Sequence, residues 1–261
     1  MQALKAILLG IVEGATEFLP VSSTGHLIIA ADWLRYPDAE RATFEIFIQL
    51  GAILAVFWHY RRDLLELARR ARRERPAQEL IGKVLVAFLP AAVVGFVLHH
   101  WIEQHLFSVR AVAAAMIVGG AVIWLVEIRP RQASVPRMEA MGWREAIWVG
   151  FAQVTSLYPG VSRAAATIIG GMLAGMSRPA ATQFSFYLAL PTLTAASLYS
   201  LIKALPTITT GEAASLALGF VAAFVTALVV IRGFLRYVQS HDFRPFAYYR
   251  IAVGIALLLL S

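Results

Sequence analysis

The chain has 261 residues, of which 59% are hydrophobic and only 15% are charged. A soluble domain is usually about 45–50% apolar and about 25% charged, so the composition argues against a soluble globular protein. The formal net charge is +7, and the absence of cysteine excludes disulfides, thiolate catalysis and cysteine-ligated metal sites.

The first segment carries polar residues within an apolar region. Residues 2–18 and 22–34 are short apolar stretches on either side of Pro20, and the polar run EFLPVSSTGH lies across this break. Glu13 and Glu17 are four residues apart, so on a helix they share a face. Such a pair suits a divalent cation or acid–base catalysis, and the alternative is a structural pair bonded to serine or arginine.

The run PVSSTGH predicts the start of a second helix after the break. Pro20 ends the first arm, and Ser22 or Ser23 can cap the second. A helix N-terminus binds anions, phosphate above all. His26 follows at helical spacing, so a serine–histidine catalytic pair is one interpretation, and a capping serine with a buried structural histidine is the other.

Six longer apolar segments are each about long enough to span a bilayer. They lie at roughly 43–60, 80–98, 109–128, 181–203, 212–231 and 246–261. Gln49, in the first of them, could hydrogen-bond near a ligand or only join helices. Because the segments do not alternate apolar and polar residues as barrel strands do, we predict an all-α, polytopic membrane protein.

Basic residues predict the orientation in the membrane. Lys and Arg concentrate at 61–83, 129–144 and 232–250, the last of which is expected to be a loop that includes Arg250. Cytoplasmic loops carry an excess of these residues, so the three segments are expected in the cytoplasm. The Arg-rich stretch at 61–75 is interpreted as a topology signal rather than as a nucleic-acid-binding patch.

A second broken region comprises residues 143–157 and 161–175, interrupted at Pro159. In its tip, YPGVSRAAAT, Ser162 can cap the following helix, and Arg163 lies beside that cap. A guanidinium recognises phosphate or carboxylate through two hydrogen bonds, so Arg163 is a candidate anion-binding residue. The alternative is a salt bridge to one of the two glutamates in the first broken region.

The two broken regions align with each other without gaps, in a register that pairs Ser22 with Ser162 and Gly10 with Gly150. We therefore predict a single membrane domain over 1–261, built from repeats at about 1–130 and 141–261. Each half has an odd number of crossings, so the halves are expected to be inverted. Each then contributes one re-entrant helix hairpin and three of about six full transmembrane helices, with a site between the halves near the midplane.

Long motifs carry a resemblance to a known family. The runs GIVEGATEFLPVSSTGHLII and PGVSRAAATIIGGMLAGMSR resemble the two signature regions of undecaprenyl-diphosphate phosphatases, the bacitracin-resistance membrane proteins. FEIFIQLGAILAV and PFAYYRI are similar to that family too, so the resemblance covers essentially the whole chain. It implies hydrolysis of undecaprenyl diphosphate to the monophosphate and inorganic phosphate.

The resemblance also implies the setting of that reaction. The protein would lie in the bacterial cytoplasmic (inner) membrane with its active site facing the outer, periplasmic side. Its partners would be the polyprenyl diphosphate substrate and membrane lipid, with no nucleic acid, and a homodimer stays open. The cofactor would be a divalent cation, Mg²⁺ or Ca²⁺.

The matching positions imply residue roles. Ser23 is expected to be the nucleophile with His26 managing protons, although attack by water with Ser23 only binding phosphate stays open. The resemblance places the family's site residues on Glu13, Glu17, Ser23, His26, Ser162, Arg163 and Thr167. We expect Ser23, His26, Glu17 and Arg163 to be catalytic and Glu13 and Glu17 to hold the metal. The substrate-binding residues are expected to be Ser162, Arg163 and Thr167, together with Ser22, Thr24 and Gln49, which we add from their positions in the sequence.

The second motif departs from the family pattern, which reads Ser-Arg-Ser-Gly-x-Thr where this chain has SRAAAT. Ala164 lacks a hydroxyl, and Ala165 lacks the freedom of a glycine. A helical turn accepts alanine well, so we expect the fold to hold. The missing hydroxyl leaves room for an alternative function, a transporter or flippase of a phosphorylated polyprenyl lipid.

Overall fold

The computed structural model describes residues 2–106, 108–129, 132–207 and 212–260. Within them the fold is helical apart from one isolated bridge between Val135 and Met176, which confirms the all-α prediction. The helices are α1 (Gln2–Thr16), α2 (Ser23–Trp33), α3 (Asp38–His59), α4 (Arg61–Arg70), α5 (Arg75–His105), α6 (Val109–Glu127), α7 (Trp143–Val154), α8 (Arg163–Leu173), α9 (Arg178–Ala204), α10 (Ala213–Tyr237) and α11 (Arg244–Leu260).

Helices occupy all six predicted spans. Among the described residues, five helices are long and apolar enough to cross a membrane, namely α3, α5, α6, α9 and α10. The sixth predicted span corresponds to α11, which has 17 residues. The chain is therefore a multi-pass helical membrane protein. The Arg-rich stretch at 61–75 is not all loop: its first part forms α4, an amphipathic helix with no buried residue.

Each broken region forms two helices that pack against each other. In the first region, the ammonium group of Lys5 on α1 donates to the Arg35 carbonyl oxygen just beyond α2 at 2.9 Å, so the chain doubles back. Ser22 and Ser162, at the two breaks, have φ angles of 75° and 70°. A non-glycine residue rarely adopts this conformation, and such strain, on the order of 1–3 kcal/mol, concentrates at functional sites. The depth of the hairpins in a bilayer stays a prediction.

The first helix of each hairpin packs on a long helix from the other half of the chain. Helix α1 packs on α10, and its counterpart α7 packs on α5. A Cβ atom on Gly10 would lie 2.4 Å from the Gly219 carbonyl oxygen, and one on Gly150 would lie 2.8 Å from the Ala87 carbonyl oxygen. Glycines at equivalent positions of the two broken regions thus permit the same close helix contact in each half. The boundaries of the repeats stay a prediction.

The end of α6, just before the second Arg-rich region, contacts the third Arg-rich region at one end of the bundle. Glu127, at the end of α6, accepts hydrogen bonds from Arg178 and from the backbone N–H of Phe243. Arg250 is an exception to the loop assignment, because α11 begins at Arg244 and Arg250 lies fully buried inside it. The expectation that Arg250 belongs to a cytoplasmic loop is therefore wrong.

Candidate active site

The tips of the two hairpins meet, and Glu17 links them. Arg163 Nη2 donates to Glu17 Oε1 at 3.2 Å, and Ser23 Oγ donates to Glu17 Oε2 at 2.7 Å. The side chains of Arg163 and Glu17 are only 8% and 6% exposed. The structure thus brings together three of the predicted site residues, and the salt bridge considered for Arg163 is present.

Ser185 of helix α9 holds the Arg163 guanidinium by hydrogen bonds. Arg163 Nη1 donates to the Ser185 carbonyl oxygen at 3.2 Å and to its Oγ at 3.3 Å. Thr167 Oγ1 lies 2.6 Å from the same hydroxyl and donates to the Arg163 carbonyl oxygen at 2.9 Å. Sequence reasoning missed Ser185. Its only signal is a hydroxyl in an apolar helix, at the position that the repeat register pairs with Glu45.

Two charged side chains at the site have an atom without a partner. Glu13 is 1% exposed, yet its Oε2 accepts no hydrogen bond, and the buried Nε of Arg163 donates none. In the part of the chain that the structure describes, no other charged side chain has such a buried, unpaired atom. An unpaired buried polar atom costs about 1–3 kcal/mol, and more when it is charged, so these two atoms are the candidates for contact with a ligand.

The starts of α2 and α8 differ. Ser162 Oγ accepts a hydrogen bond from the backbone N–H of Ala165 at 3.2 Å, which confirms the predicted cap. Ser22 holds the equivalent position before α2 but makes no side-chain cap, so the predicted serine cap of α2 is wrong. The Ser23 hydroxyl bonds to a carboxylate instead, which is a stronger partner than an amide. The first turn of α2, where Thr24 lies half-buried, therefore keeps N–H groups that no serine caps.

His26 pairs with groups other than the Ser23 hydroxyl. Its Nδ1 lies 2.7 Å from the Ser22 carbonyl oxygen, and its Nε2 lies 2.7 Å from the Tyr249 hydroxyl. Since a carbonyl oxygen only accepts, we assign the proton of the neutral ring to Nδ1, and Nε2 then accepts from Tyr249. The expected pairing of His26 with a serine side chain is not observed, because the backbone and Tyr249 occupy both ring nitrogens.

Gln49 makes its hydrogen bond away from the two hairpins. Its Oε1 accepts from Ser197 Oγ at 2.7 Å, which joins α3 to α9. This contact corresponds to the helix-joining interpretation of Gln49.

Comparison with known proteins places the chain among close relatives. Residues 6–256 match the family model described as bacitracin resistance protein BacA. The chain is 49% identical to the undecaprenyl-diphosphatase of Nitrosospira multiformis over 258 residues, which is 99% of this chain and 94% of the relative. It is 50% identical to the undecaprenyl-diphosphatase of Dechloromonas aromatica over 98% of this chain and 93% of the relative. The corresponding enzyme of Caldanaerobacter subterraneus is 45% identical over 98% of this chain and 95% of the relative.

Proposed function

The chain belongs to the bacitracin resistance protein BacA family, and we propose that its two hairpin tips form the active site of its reaction. The protein is a membrane phosphatase that hydrolyses undecaprenyl diphosphate to undecaprenyl phosphate and inorganic phosphate. By this reaction it would recycle the lipid carrier of cell-wall polymer synthesis. The observation that carries the site assignment is the hydrogen-bonded set of Ser23, Glu17 and Arg163 beside the unpaired Nε of Arg163 and Oε2 of Glu13.

The geometry favours Glu17 over His26 as the base for Ser23. Glu17 Oε2 already accepts the Ser23 hydroxyl, so it can take that proton as Ser23 Oγ attacks the terminal phosphorus. The bond from this phosphorus to the bridging oxygen breaks, and undecaprenyl phosphate leaves. Water then hydrolyses the phosphoserine. Direct attack by water, with Ser23 only binding phosphate, is the competing route.

Charge stabilisation comes from the groups around the reacting phosphate. The unpaired Arg163 Nε is available to donate to a phosphate oxygen. The N-terminal N–H groups of α2 and α8 supply further donors and the positive ends of two helix dipoles. Phosphoryl transfer depends largely on positioning and charge stabilisation, which is what these groups provide.

Glu13 is the proposed binding position for a divalent cation. Within the described residues, no group of three His, Cys, Asp or Glu side chains could hold a metal ion alone. Mg²⁺ is nevertheless usually bound by one or two carboxylates together with substrate phosphates. We therefore propose that the unpaired Oε2 of Glu13 and the substrate phosphates would hold Mg²⁺ or Ca²⁺, which would neutralise charge on the phosphate oxygens. Glu17 would be the second metal ligand in the route where water attacks and Glu17 is not the base for Ser23.

Purified protein in detergent is expected to release inorganic phosphate from a polyprenyl diphosphate, and EDTA is expected to abolish the release until Mg²⁺ or Ca²⁺ is restored. EDTA removes the divalent cation, and without it the negative charge of the diphosphate would lie unneutralised beside the carboxylates of Glu13 and Glu17. Detergent removes the two sides of the membrane, so transport cannot mimic the result. Substrate binding without any phosphate release would instead favour the transporter or flippase.

A matched pair of variants tests the metal ligand in that assay. Glu13→Gln is expected to raise the Mg²⁺ concentration for half-maximal activity by roughly tenfold or more, because one ligand oxygen loses its charge. Glu139→Gln, at an exposed position outside the hairpins, is expected to leave it unchanged. Activity that persists in EDTA would contradict the metal assignment.

We propose that the site faces the periplasmic side of the bacterial cytoplasmic membrane, because the hairpin that carries Glu17 and Ser23 enters the membrane from that side. Helix α3 runs from the open end of the first hairpin, near Arg35, to the Arg-rich helix α4. With 22 residues, α3 separates these two ends by about 33 Å. Since Arg-rich segments stay in the cytoplasm, the open end of the first hairpin faces the outside.

The polyprenyl tail is proposed to lie in an apolar groove between α6, α7 and α8. The groove has a volume of about 710 Å³ and is lined almost entirely by apolar side chains. Ala165 and Ala166, just after Arg163 on α8, form part of its wall, with Val118 of α6 and Phe151 of α7. Val161 and Ala165, which lie two residues before and after Arg163, both line the groove, so one end of the groove is close in the chain to the proposed phosphate-binding residue.

Ala166→Phe is expected to raise the KM for a C55 polyprenyl diphosphate by about tenfold, which corresponds to losing the burial of roughly two methylene groups. The KM for a short isoprenyl diphosphate should change little, because its tail leaves most of the groove empty. Steady-state kinetics with both substrates measure the difference. Ala217→Phe on the exposed face of α10 is the control. Equal effects on both substrates would contradict the groove assignment.

A further inference from the structure

Arg250 of α11 lies between the two hairpin tips with no exposed surface. Its five hydrogen bonds all end on backbone carbonyl oxygens, and none ends on a carboxylate. The acceptors are Pro20 (3.2 Å), Gly160 (2.9 Å) and Val161 (3.0 Å) at the tips, and Ala115 (3.3 Å) and Met116 (3.3 Å) on α6.

One guanidinium joins equivalent points of the two repeats. Pro20 and Gly160 occupy the same position in the register that aligns the broken regions. At each break the carbonyl oxygen has lost its helical partner, and such a group must be paired inside the protein at membrane depth. The rigid fork of an arginine can donate to several carbonyls in different directions, whereas the three donors of a lysine lie on a single atom.

Two glycines leave the space that the Arg250 guanidinium and the second tip occupy. A Cβ atom on Gly119 of α6 would lie 2.3 Å from Arg250 Nη2. Gly160 itself has a φ of +95°, and a Cβ atom there would lie 2.5 Å from the Val112 carbonyl oxygen. The guanidinium therefore lies against α6 only because position 119 has no side chain.

We propose that Arg250 is a positioning residue that sets the distance between the two hairpin tips, an inference that rests on the proposed function. Pro20 lies three residues before Ser23, and Val161 lies two residues before Arg163. A shift of either tip therefore moves Ser23 and Glu17 relative to Arg163. In a positioned reaction, a displacement of about 1 Å lowers the rate by about 10²-fold.

Gly119→Ala tests this role without removing the arginine, because the added Cβ must displace the guanidinium. We expect kcat to fall by about 10²-fold. Gly119 also lines the apolar groove, so the KM for the polyprenyl diphosphate is compared with that of Arg250→Lys, which leaves the groove wall unchanged. Gly233→Ala on α10 is the matched control, because a Cβ atom there would meet nothing within 4 Å. Arg250→Lys should resemble Gly119→Ala, since an ammonium cannot reach both tips at once.

Spin-label distances provide a readout that does not depend on activity. The chain has no cysteine, so Ile11→Cys and Phe151→Cys, at exposed and repeat-equivalent positions on α1 and α7, are the only sites that a thiol-specific label modifies. The distances are measured without substrate, because Phe151 also lines the apolar groove. Double electron–electron resonance should give a broader or longer distance distribution with Gly119→Ala or Arg250→Lys than with Gly233→Ala.

The outcomes separate this inference from the proposed function. Folded Gly119→Ala protein with the wild-type distance distribution would overturn the positioning role, whatever its activity. If the Gly119→Ala protein also has a normal kcat, both the distance measurement and the kinetics contradict the positioning role. If Arg250→Lys does not fold, Gly119→Ala decides alone. A distance change in the variants, together with wild-type protein that releases no phosphate, would support tip positioning and contradict the proposed function.

Discussion

Arg163→Lys is expected to lower kcat/KM for polyprenyl diphosphate hydrolysis by roughly 10²- to 10³-fold. Arg163 bonds Glu17 with one nitrogen and Ser185 with another, and a third nitrogen, Nε, stays available for phosphate. A single ammonium cannot serve all three directions. Lysine is preferred to alanine, because complete loss of the charge would leave the buried carboxylate of Glu17 without its salt-bridge partner, at a cost of about 3–5 kcal/mol.

The control for this variant is a second arginine paired with a buried carboxylate. Arg178 donates to both oxygens of Glu127 but lies at the Arg-rich end of the bundle, away from the hairpin tips. Arg178→Lys should lower thermal stability and leave kcat/KM near the wild-type value. Near-normal kinetics of Arg163→Lys, with Arg178→Lys as the reference, would remove Arg163 from the phosphate-binding role.

Ser23→Ala is expected to lower kcat by at least about 10³-fold, because a nucleophile has no substitute in the two-step route. Glu17 should keep its contact with Arg163, so the fold is expected to survive. Rapid quenching of the wild-type reaction with a substrate labelled in its terminal phosphate should yield a phosphorylated peptide that contains Ser23. Mass spectrometry of the quenched protein identifies the modified residue.

Ser156→Ala is the matched control for the loss of a hydroxyl. Ser156 lies near the tip of the second hairpin, and its Oγ donates to the Gln153 carbonyl oxygen of the same arm. Its removal should leave kcat within about twofold of wild type, as for a local hydrogen bond worth about 1 kcal/mol or less. Substantial activity of Ser23→Ala without any phosphorylated peptide in the wild type would favour direct attack by water.

The helix through the unusual alanines of the second motif could be predicted from the sequence. Ala164 and Ala165 are buried in a continuous helix from Arg163 to Leu173, as their helical propensity predicts. The backbone N–H of Ala165 still bonds to the Ser162 cap. Thr167 finds its hydroxyl partner in Ser185 on another helix.

The sequence by itself determined the class of the protein. A composition that is 59% hydrophobic, with broken apolar segments around Pro20 and Pro159, requires helices that satisfy their own backbone and places the costly polar groups at the breaks. Periodicity also placed Glu13 and Glu17 on one face, since spacing within a helix is a local property. The family motifs then identified the chemistry.

Only the tertiary structure decided which partner each polar group has. Glu17 bonds to Ser23, close to it in the chain, and to Arg163 in the other half of the protein. His26 pairs with Tyr249 near the opposite end of the chain, and Arg250 lies in the core rather than in a loop. These pairings depend on how helices from different parts of the chain pack. Helical periodicity reports the faces of each helix but not which faces meet, and hydrogen bonds form only at contact distance.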